Sequence, residues 1–172
     1  MTEAPQADLR PSVLFVCTAN QIRSPMAAAL FGQLLAECNQ HHQQWRIESA
    51  GTWAKPNKPP QIHAQVVMKR RNLDITQHRS RSVSRELLQQ FRLILTMEKG
   101  HKEALQVEFP EVAGRVFLLS EMTGVEKNIA DPIGGLPDTY EKTASSIEEM
   151  LRSGCQRIIE LANSNLTPAN HR

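Results

Sequence analysis

Cys17 and Arg23 stand with five residues between them, in the run Cys17-Thr18-Ala19-Asn20-Gln21-Ile22-Arg23-Ser24. A thiolate is a strong nucleophile, and a guanidinium grips two oxygens of a tetrahedral oxyanion through its planar fork. A loop that closes onto a helix N-terminus aims several backbone N–H groups at one point, and the helix dipole adds positive potential there. The same field favours a thiolate at Cys17, and Ser24 offers the sulfur a hydroxyl donor. The chemistry implied is phosphate binding and nucleophilic attack in one pocket. Thr18, Ala19, Asn20, Gln21, Ile22, Arg23 and Ser24 form the candidate phosphate-binding set. Attack on a phosphate ester also needs a proton for the leaving oxygen. Asp131, held extended by Pro132, is the candidate donor, with Asp74, Asp138 and Glu98 as competitors on sequence alone.

The elements that must position these residues follow from the pattern. Val13-Leu14-Phe15-Val16 is short, apolar and partly β-branched, which predicts a buried strand that ends just before Cys17. Ser24-Pro25 predicts a helix start, with Ser24 as N-cap and Pro25 in the first turn. Ala27, Leu30, Phe31, Leu34, Leu35 and Cys38 then keep the spacing of one buried stripe. A second strand is predicted over Trp45 to Gly51 at a sheet edge, followed by a proline-containing loop over 52–60. A helix over Gln61 to Arg71 has Ile62, Val66 and Val67 inward, and Ser84 caps a short helix through Leu88. Phe91 to Met97 is the third strand, Glu98 to Val107 a helix, and Val116 to Leu119 the fourth strand. The last helix runs from about Asp138 to Ala162 on Tyr140, Ala144, Ile147, Leu151, Ile158 and Leu161, with Gly154 allowing close packing.

Strands alternating with helices imply right-handed crossovers and an α/β fold with a mainly parallel, four-stranded sheet covered on both faces. Ligands bind such sheets outside the carboxyl ends of their strands, where Cys17 falls. The chain of 172 residues reads as one domain over 12–163, between a polar arm (1–11) and a frayed tail (164–172). A net charge of +2 lacks the basic excess of a nucleic-acid binder. No apolar run matches a membrane span, and residues 1–10 lack a signal-peptide pattern, so a cytoplasmic protein is expected. Three widely spaced cysteines (17, 38 and 155) with no CxxC argue against a disulfide framework or zinc cage. The six histidines show no metal-ligand spacing, and His41-His42 reads as a solvated loop.

VLFVCTANQIRSPMAAALF closely resembles the phosphate loop of low-molecular-weight protein tyrosine phosphatases. ESAGT at 48–52, HRSRS at 78–82, FRLILTMEKGH at 91–101 and DPIGG at 131–135 resemble further family hallmarks in the family's order. The resemblance spans roughly residues 12–160 and implies a phosphatase domain built on a four-stranded parallel sheet with helices on both sides. It implies Cys17 as the nucleophile that becomes a phosphocysteine, Arg23 as phosphate binder and transition-state stabiliser, and Asp131 as general acid and then base. Asn20, Ser24, Ser49 and His78 resemble the network that shapes the loop and supports the thiolate. It implies no cofactor or metal, and a monomer acting on phosphorylated protein without nucleic-acid or membrane partners.

Departures from the family bear on substrate. Ala19 stands where glycine is usual, and Ile22 where many members have a second, protective cysteine, so no disulfide within the loop is expected. Ile133-Gly134-Gly135 follows Asp131-Pro132 where an aromatic often lines the slot, leaving Trp53 as a candidate ring contact. Gly-Gly resembles a bacterial branch that includes protein-arginine phosphatases; these typically carry threonine at the place of Gln21, where tyrosine phosphatases carry isoleucine. Gln21, Trp53 and Ile133 are therefore the expected substrate wall. Phosphotyrosine hydrolysis leads, with phosphoarginine as the alternative. An arsenate reductase would need further cysteines near the site, and a phosphate-sensing module would leave Asp131 idle.

Overall fold

A computed structural model describes residues 8, 10–38 and 42–164. Strand β1 (Ser12–Cys17) is buried along its whole length. It lies between β2 (Arg46–Gly51) and β3 (Leu93–Thr96), with β4 (Val116–Leu118) outermost. All pairings are parallel, in the order β2-β1-β3-β4. A strand covered on both faces carries no polar alternation, which is why 13–16 reads as one apolar run. β2 is the expected edge strand.

Among the described residues, five α-helices cover the sheet: α1 (Arg23–Glu37), α2 (Ile62–Lys69), α3 (Arg85–Gln89), α4 (Lys99–Glu108) and α5 (Pro137–Ser164). Successive strand residues point to opposite faces. Val13, Phe15, Leu93 and Leu95 pack with Phe31 and Leu35 of α1 and Ile147 and Ile158 of α5. Leu14, Val16, Ile94 and Val116 pack with Leu88 of α3 and Leu105 of α4. Gly154 is required where α5 crosses the 120–123 turn: a Cβ there would lie 2.6 Å from the Cβ of Met122. Ser84 caps α3 as expected, its hydroxyl accepting the Leu87 N–H.

The structure departs from the sequence expectations where the local signal had two uses. Ser24 is not the cap of α1. The helix starts at Arg23, Ile22 takes the N-cap position with no side-chain cap, and the Ser24 hydroxyl serves the phosphate loop instead. Cys38 is exposed just past the end of α1, because the helix stops before its stripe completes another turn. On α2 the inward set is Ala64, Val67 and Met68, so Ile62 and Val66 face outward. Leu161 is only partly buried at the edge of the core. β3 and the second strand are shorter than expected by one or two residues at their ends. The expected polar arm and tail, and the His41-His42 connection, fall largely outside the described residues.

From β1 the chain leaves for β2 on one side and later reaches β3 on the other. The crevice at the carboxyl ends of β1 and β3 is therefore the topological switch point, where such sheets bind ligands. Cys17 ends β1, and Glu98 follows the end of β3 by two residues.

Candidate active site

The loop from Cys17 to Ile22 is held open by partners on its outer side. The carbonyls of Cys17 and Thr18 accept N–H bonds from Thr52 (2.8 Å) and Trp53 (3.0 Å), and the Gln21 carbonyl accepts from Gln61 (3.0 Å). The Asn20 carbonyl accepts from His78 Nε2 at 2.8 Å. With carbonyls committed outward, the loop presents its amides to its centre, the arrangement that holds anions. Gly51 makes the close approach possible: a Cβ there would lie 2.3 Å from the Thr18 carbonyl oxygen.

Asn20 is the internal keystone of the loop. It is fully buried and left-handed, with φ of 56°, a conformation asparagine tolerates better than most residues. Its Nδ2 donates to Ser24 Oγ and Ser49 Oγ, both at 2.9 Å, and its Oδ1 accepts the Arg81 N–H at 3.0 Å. Ser24 Oγ in turn sits 3.0 Å from Cys17 Sγ. Ser24 accepts from Asn20, and its single hydrogen has two acceptors in range, the Cys17 sulfur at 3.0 Å and the Ala50 carbonyl at 3.3 Å. The network expected from sequence, Asn20, Ser24, Ser49 and His78, is thus gathered behind Cys17. Burial pushes the His78 imidazole below the ordinary histidine range, with Arg81 and Arg79 acting in the same direction. A neutral His78 carrying its proton on Nε2 fits its bond to the Asn20 carbonyl.

Arg23 is 1% exposed, so its charge must be paired. Nη1 bonds Glu98 Oε1 and, at 2.6 Å, the Ile129 carbonyl; Nη2 reaches Asp131 Oδ2 at 3.2 Å and Thr18 Oγ1 at 3.4 Å. The Ile129 N–H is fixed to the Met97 carbonyl at 2.9 Å. These two bonds to Ile129 bring Asp131 over the site, and its Oδ1 accepts the Ile133 N–H at 3.1 Å. Of the competing acids, Glu98 joins the site as a partner of Arg23. Asp74 instead accepts the Thr76 N–H (2.8 Å), and Asp138 lies in the first turn of α5.

A small pocket is lined by Cys17, Ala19, Gln21, Ile22, Arg23, Asp131 and Ile133. Cys17, Arg23 and Asp131, 114 positions apart at the extremes of the chain segment, therefore meet. Gln21 and Ile133 line the wall, and Gln21 Nε2 is tied to the Pro59 carbonyl at 2.9 Å. Trp53 does not line it: the side chain is 86% exposed, while its backbone holds Thr18.

His101 joins the site without being among the residues that the sequence singles out. It is 7% exposed on α4, its Nε2 lies 2.8 Å from Thr18 Oγ1, and Nδ1 is buried without a partner among the described residues. Burial, then the nearby Arg23 charge, pushes its imidazole below the ordinary range. A neutral ring with the proton on Nε2 leaves the unpartnered Nδ1 without a hydrogen and donates to Thr18. The available signal was its place at the carboxyl end of the third strand, three residues after Glu98. Among the described residues no group of three or more histidine, cysteine, aspartate or glutamate side chains is placed to hold a metal. None of the described helices is long and apolar enough to cross a membrane.

The family model for low molecular weight phosphotyrosine protein phosphatase matches residues 12–162. A protein-arginine-phosphatase of Geobacillus stearothermophilus is 33% identical over 140 residues, covering 81% of this chain and 90% of the relative. The low molecular weight protein-tyrosine-phosphatase Wzb of Escherichia coli K12 is 32% identical over 147 residues, covering 86% and 95%. A solved YwlE arginine phosphatase with a cysteine-to-serine mutation and a phosphorylated active-site serine superimposes with a TM-score of 0.82. That structure is 30% identical, and the match covers 91% of this chain and 99% of the other. The parallel sheet, the thiol loop at its switch point and a family match along nearly the whole described chain lead to one conclusion: the chain belongs to the cysteine-dependent low molecular weight protein-tyrosine phosphatases.

Proposed function

We propose that the chain hydrolyses phosphotyrosine on proteins through a phosphocysteine at Cys17. The observation that carries the reading is the meeting of Cys17, Arg23 and Asp131 in one pocket. Cys17 Sγ, as thiolate, attacks phosphorus in line with the leaving oxygen. The S–P bond forms, the P–O bond to the tyrosine breaks, and Asp131 delivers the proton to the phenolic oxygen. A water then attacks the phosphocysteine while Asp131 takes its proton, releasing phosphate and restoring the thiolate. Arg23 and the loop amides hold the equatorial oxygens, where charge is spread in the transition state. The substrate phosphate competes with Asp131 for Nη2 of Arg23, which frees the carboxyl to take a proton and face the leaving group. Thr18, Ala19, Asn20, Gln21, Ile22 and Ser24 complete the phosphate-binding loop; Ser49 and His78 hold its shape.

The mouth of the pocket suits a protein substrate. Trp53, Ile62, Ile133 and Leu136 are all exposed on the segments that flank it. Gln21 and Ile133 form the wall in this reading, and Trp53, exposed beside the loop through its backbone bond to Thr18, is the aromatic available to a substrate ring outside it. The enzyme acts as a monomer in the reducing cytoplasm, where Cys17 stays free, and uses neither nucleic acid nor membrane. The phosphatase domain is 12–163.

A second reading, phosphoarginine hydrolysis, has specific support: among the described residues no aromatic side chain lines the pocket, and the Geobacillus relative is named for that activity. Arsenate reduction finds no support, because Cys38 lies past the far end of α1 from Cys17. Initial rates on peptides matched in sequence and carrying phosphotyrosine, phosphoarginine or phosphoserine test the choice. The highest kcat/KM is expected on phosphotyrosine, with Trp53→Ala raising KM there. A higher kcat/KM on phosphoarginine replaces the first reading with the second.

A further inference from the structure

The catalytic pocket is small, about 10 Å³, so the grip on the rest of a protein substrate must come from surface outside it. A second cavity, of about 590 Å³, lies along the outer face of α2. Ile62, Val66 and Leu73 are its apolar lining, with Gln65, Lys69 and Asp74 among the polar groups. Ala64, Val67 and Met68 already face the core from α2, while Ile62 and Val66 stay 68% and 44% exposed. Four positions apart, those two side chains share one helix face. The far wall is built by the turn that follows. Asn72 is left-handed, with φ of 59°, and the Leu73 N–H returns to the Met68 carbonyl at 3.0 Å. Asp74 fixes the next turn by accepting the Thr76 N–H at 2.8 Å. The groove and the catalytic pocket stand on either side of Pro59-Pro60. Gln21, from the pocket, donates Nε2–H to the Pro59 carbonyl at 2.9 Å. Gln65, from the groove, donates Nε2–H to the Pro60 carbonyl at 2.8 Å. The Gln61 N–H holds the Gln21 carbonyl at 3.0 Å, and Ile62 is the next residue.

We propose, given the phosphatase reading of the Cys17 site, that the outer face of α2 is a docking groove for the substrate protein. It takes apolar side chains close in sequence to the phosphorylated residue. The shared Pro59-Pro60 wall selects this occupant: a chain anchored in the catalytic pocket reaches the groove by crossing two residues. Helix α2 has eight residues and is about 12 Å long. An extended segment covers that length with about four residues, its alternate side chains pointing one way. Apolar residues at alternate positions, within about six of the phosphorylated one, therefore meet Ile62 and Val66. These contacts do not change as phosphorus moves from oxygen to sulfur. They bind ground state and transition state alike, so they lower KM and leave kcat as it is. The groove serves phosphotyrosine and phosphoarginine equally, because it reads the residues beside the phosphorylated one.

The test compares uncharged phosphopeptides on the full wild-type chain, each carrying the phosphorylated residue that the chain hydrolyses best. Members of a pair differ only in leucine or serine at alternate flanking positions, on the N-terminal side in one series and the C-terminal side in the other. Leucine on one side should raise kcat/KM by about 10-fold, through KM, the scale of burying one aliphatic side chain. Val66→Glu should abolish that preference and Val66→Ser should reduce it. Both variants should keep wild-type turnover of a small aryl phosphate and wild-type Tm. Aryl phosphate turnover with no preference for leucine on either side, or a preference that survives Val66→Glu, would overturn the groove alone. So would a dimer in sedimentation that Val66→Glu splits while the preference persists, since the face would then belong to a second copy. A wild-type chain that turns over no aryl phosphate would overturn the phosphatase reading and the groove with it.

Discussion

The phosphate loop and the Asp131 loop supply the two halves of the site by different means. Around Cys17 the backbone is fixed on every side: Thr52, Trp53, Gln61 and His78 hold its carbonyls, and buried Asn20 ties Ser24 to Ser49. Asp131 is attached through the two bonds of Ile129 and its own contact to Arg23, and its side chain is one-third exposed. The half that binds charge is prebuilt, so no reorganisation is needed when phosphate arrives. The half that moves a proton sits on a surface loop that can release Arg23 and turn to the leaving group. Loss of the first half should therefore damage stability and activity together, and loss of the second activity alone.

The largest effect that separates them is Asp131→Asn. It should lower kcat on phosphotyrosine peptides by about 10²- to 10⁴-fold, the scale of general acid catalysis. The loss should shrink on aryl phosphates whose leaving group needs no proton. Glu98 still pairs with Arg23 in this variant, so stability should change by less than about 1 kcal/mol. A large drop in Tm, or equal losses across leaving groups, would break the distinction.

Gly51→Ala attacks the prebuilt half. The new methyl collides with the Thr18 carbonyl, and displacing that carbonyl by about 1 Å should cost about 10²-fold in kcat/KM. Calorimetry should show a lower Tm alongside the kinetic loss. Unchanged Tm and activity would mean that the 52–53 segment does not set the loop's shape.

His101→Phe tests the donor to Thr18. Removing one hydrogen bond between neutral groups costs about 0.5–1.5 kcal/mol, so kcat should fall about 2- to 10-fold with KM nearly constant. His101→Gln, which retains a donor, should recover part of it. Equal activity in both variants would make His101 a packing residue.

The smallest effect is in pH dependence. His78 and His101 are both depressed in the folded protein, chiefly by burial. As pH falls below about 6.5, the unfolded chain takes up their protons before the folded one does. Stability must then fall with pH down to the folded values and stay flat above about pH 7. Urea midpoints at pH 7.5 and 5.5 should show the decline, and His78→Gln should flatten it. A rise in stability on acidification over this range would contradict the assigned neutral imidazoles.

Sequence legibility followed the range of the interactions. β1, the thiol loop and α1 occupy one stretch of chain, and their apolar run, breakers and amphipathic spacing are local signals, so the fold class and the switch-point position of Cys17 were readable. The Ser24 hydroxyl suits a helix start and a sulfur equally, so the local sequence points to a cap; only Asn20 and Cys17 in place decide between the two uses. On α2, periodicity shows a stripe but not which side the sheet lies on; Ala64, Val67 and Met68 are the buried set, and Ile62 and Val66 face solvent. Glu98 and His101 act on Arg23 and Thr18 across 75 and 83 positions, and no local pattern encodes that pairing.

The central claim is the covalent step at Cys17, and trapping it is the most direct measurement. The Asp131→Ala chain, mixed with an aryl phosphate that needs no protonated leaving group and quenched rapidly, should carry one phosphoryl mass on the peptide containing Cys17. Cys17→Ser should give no turnover under the same conditions. An unmodified Cys17 peptide in a chain that still releases the aryl alcohol in a burst, or normal turnover by Cys17→Ser, would contradict the account.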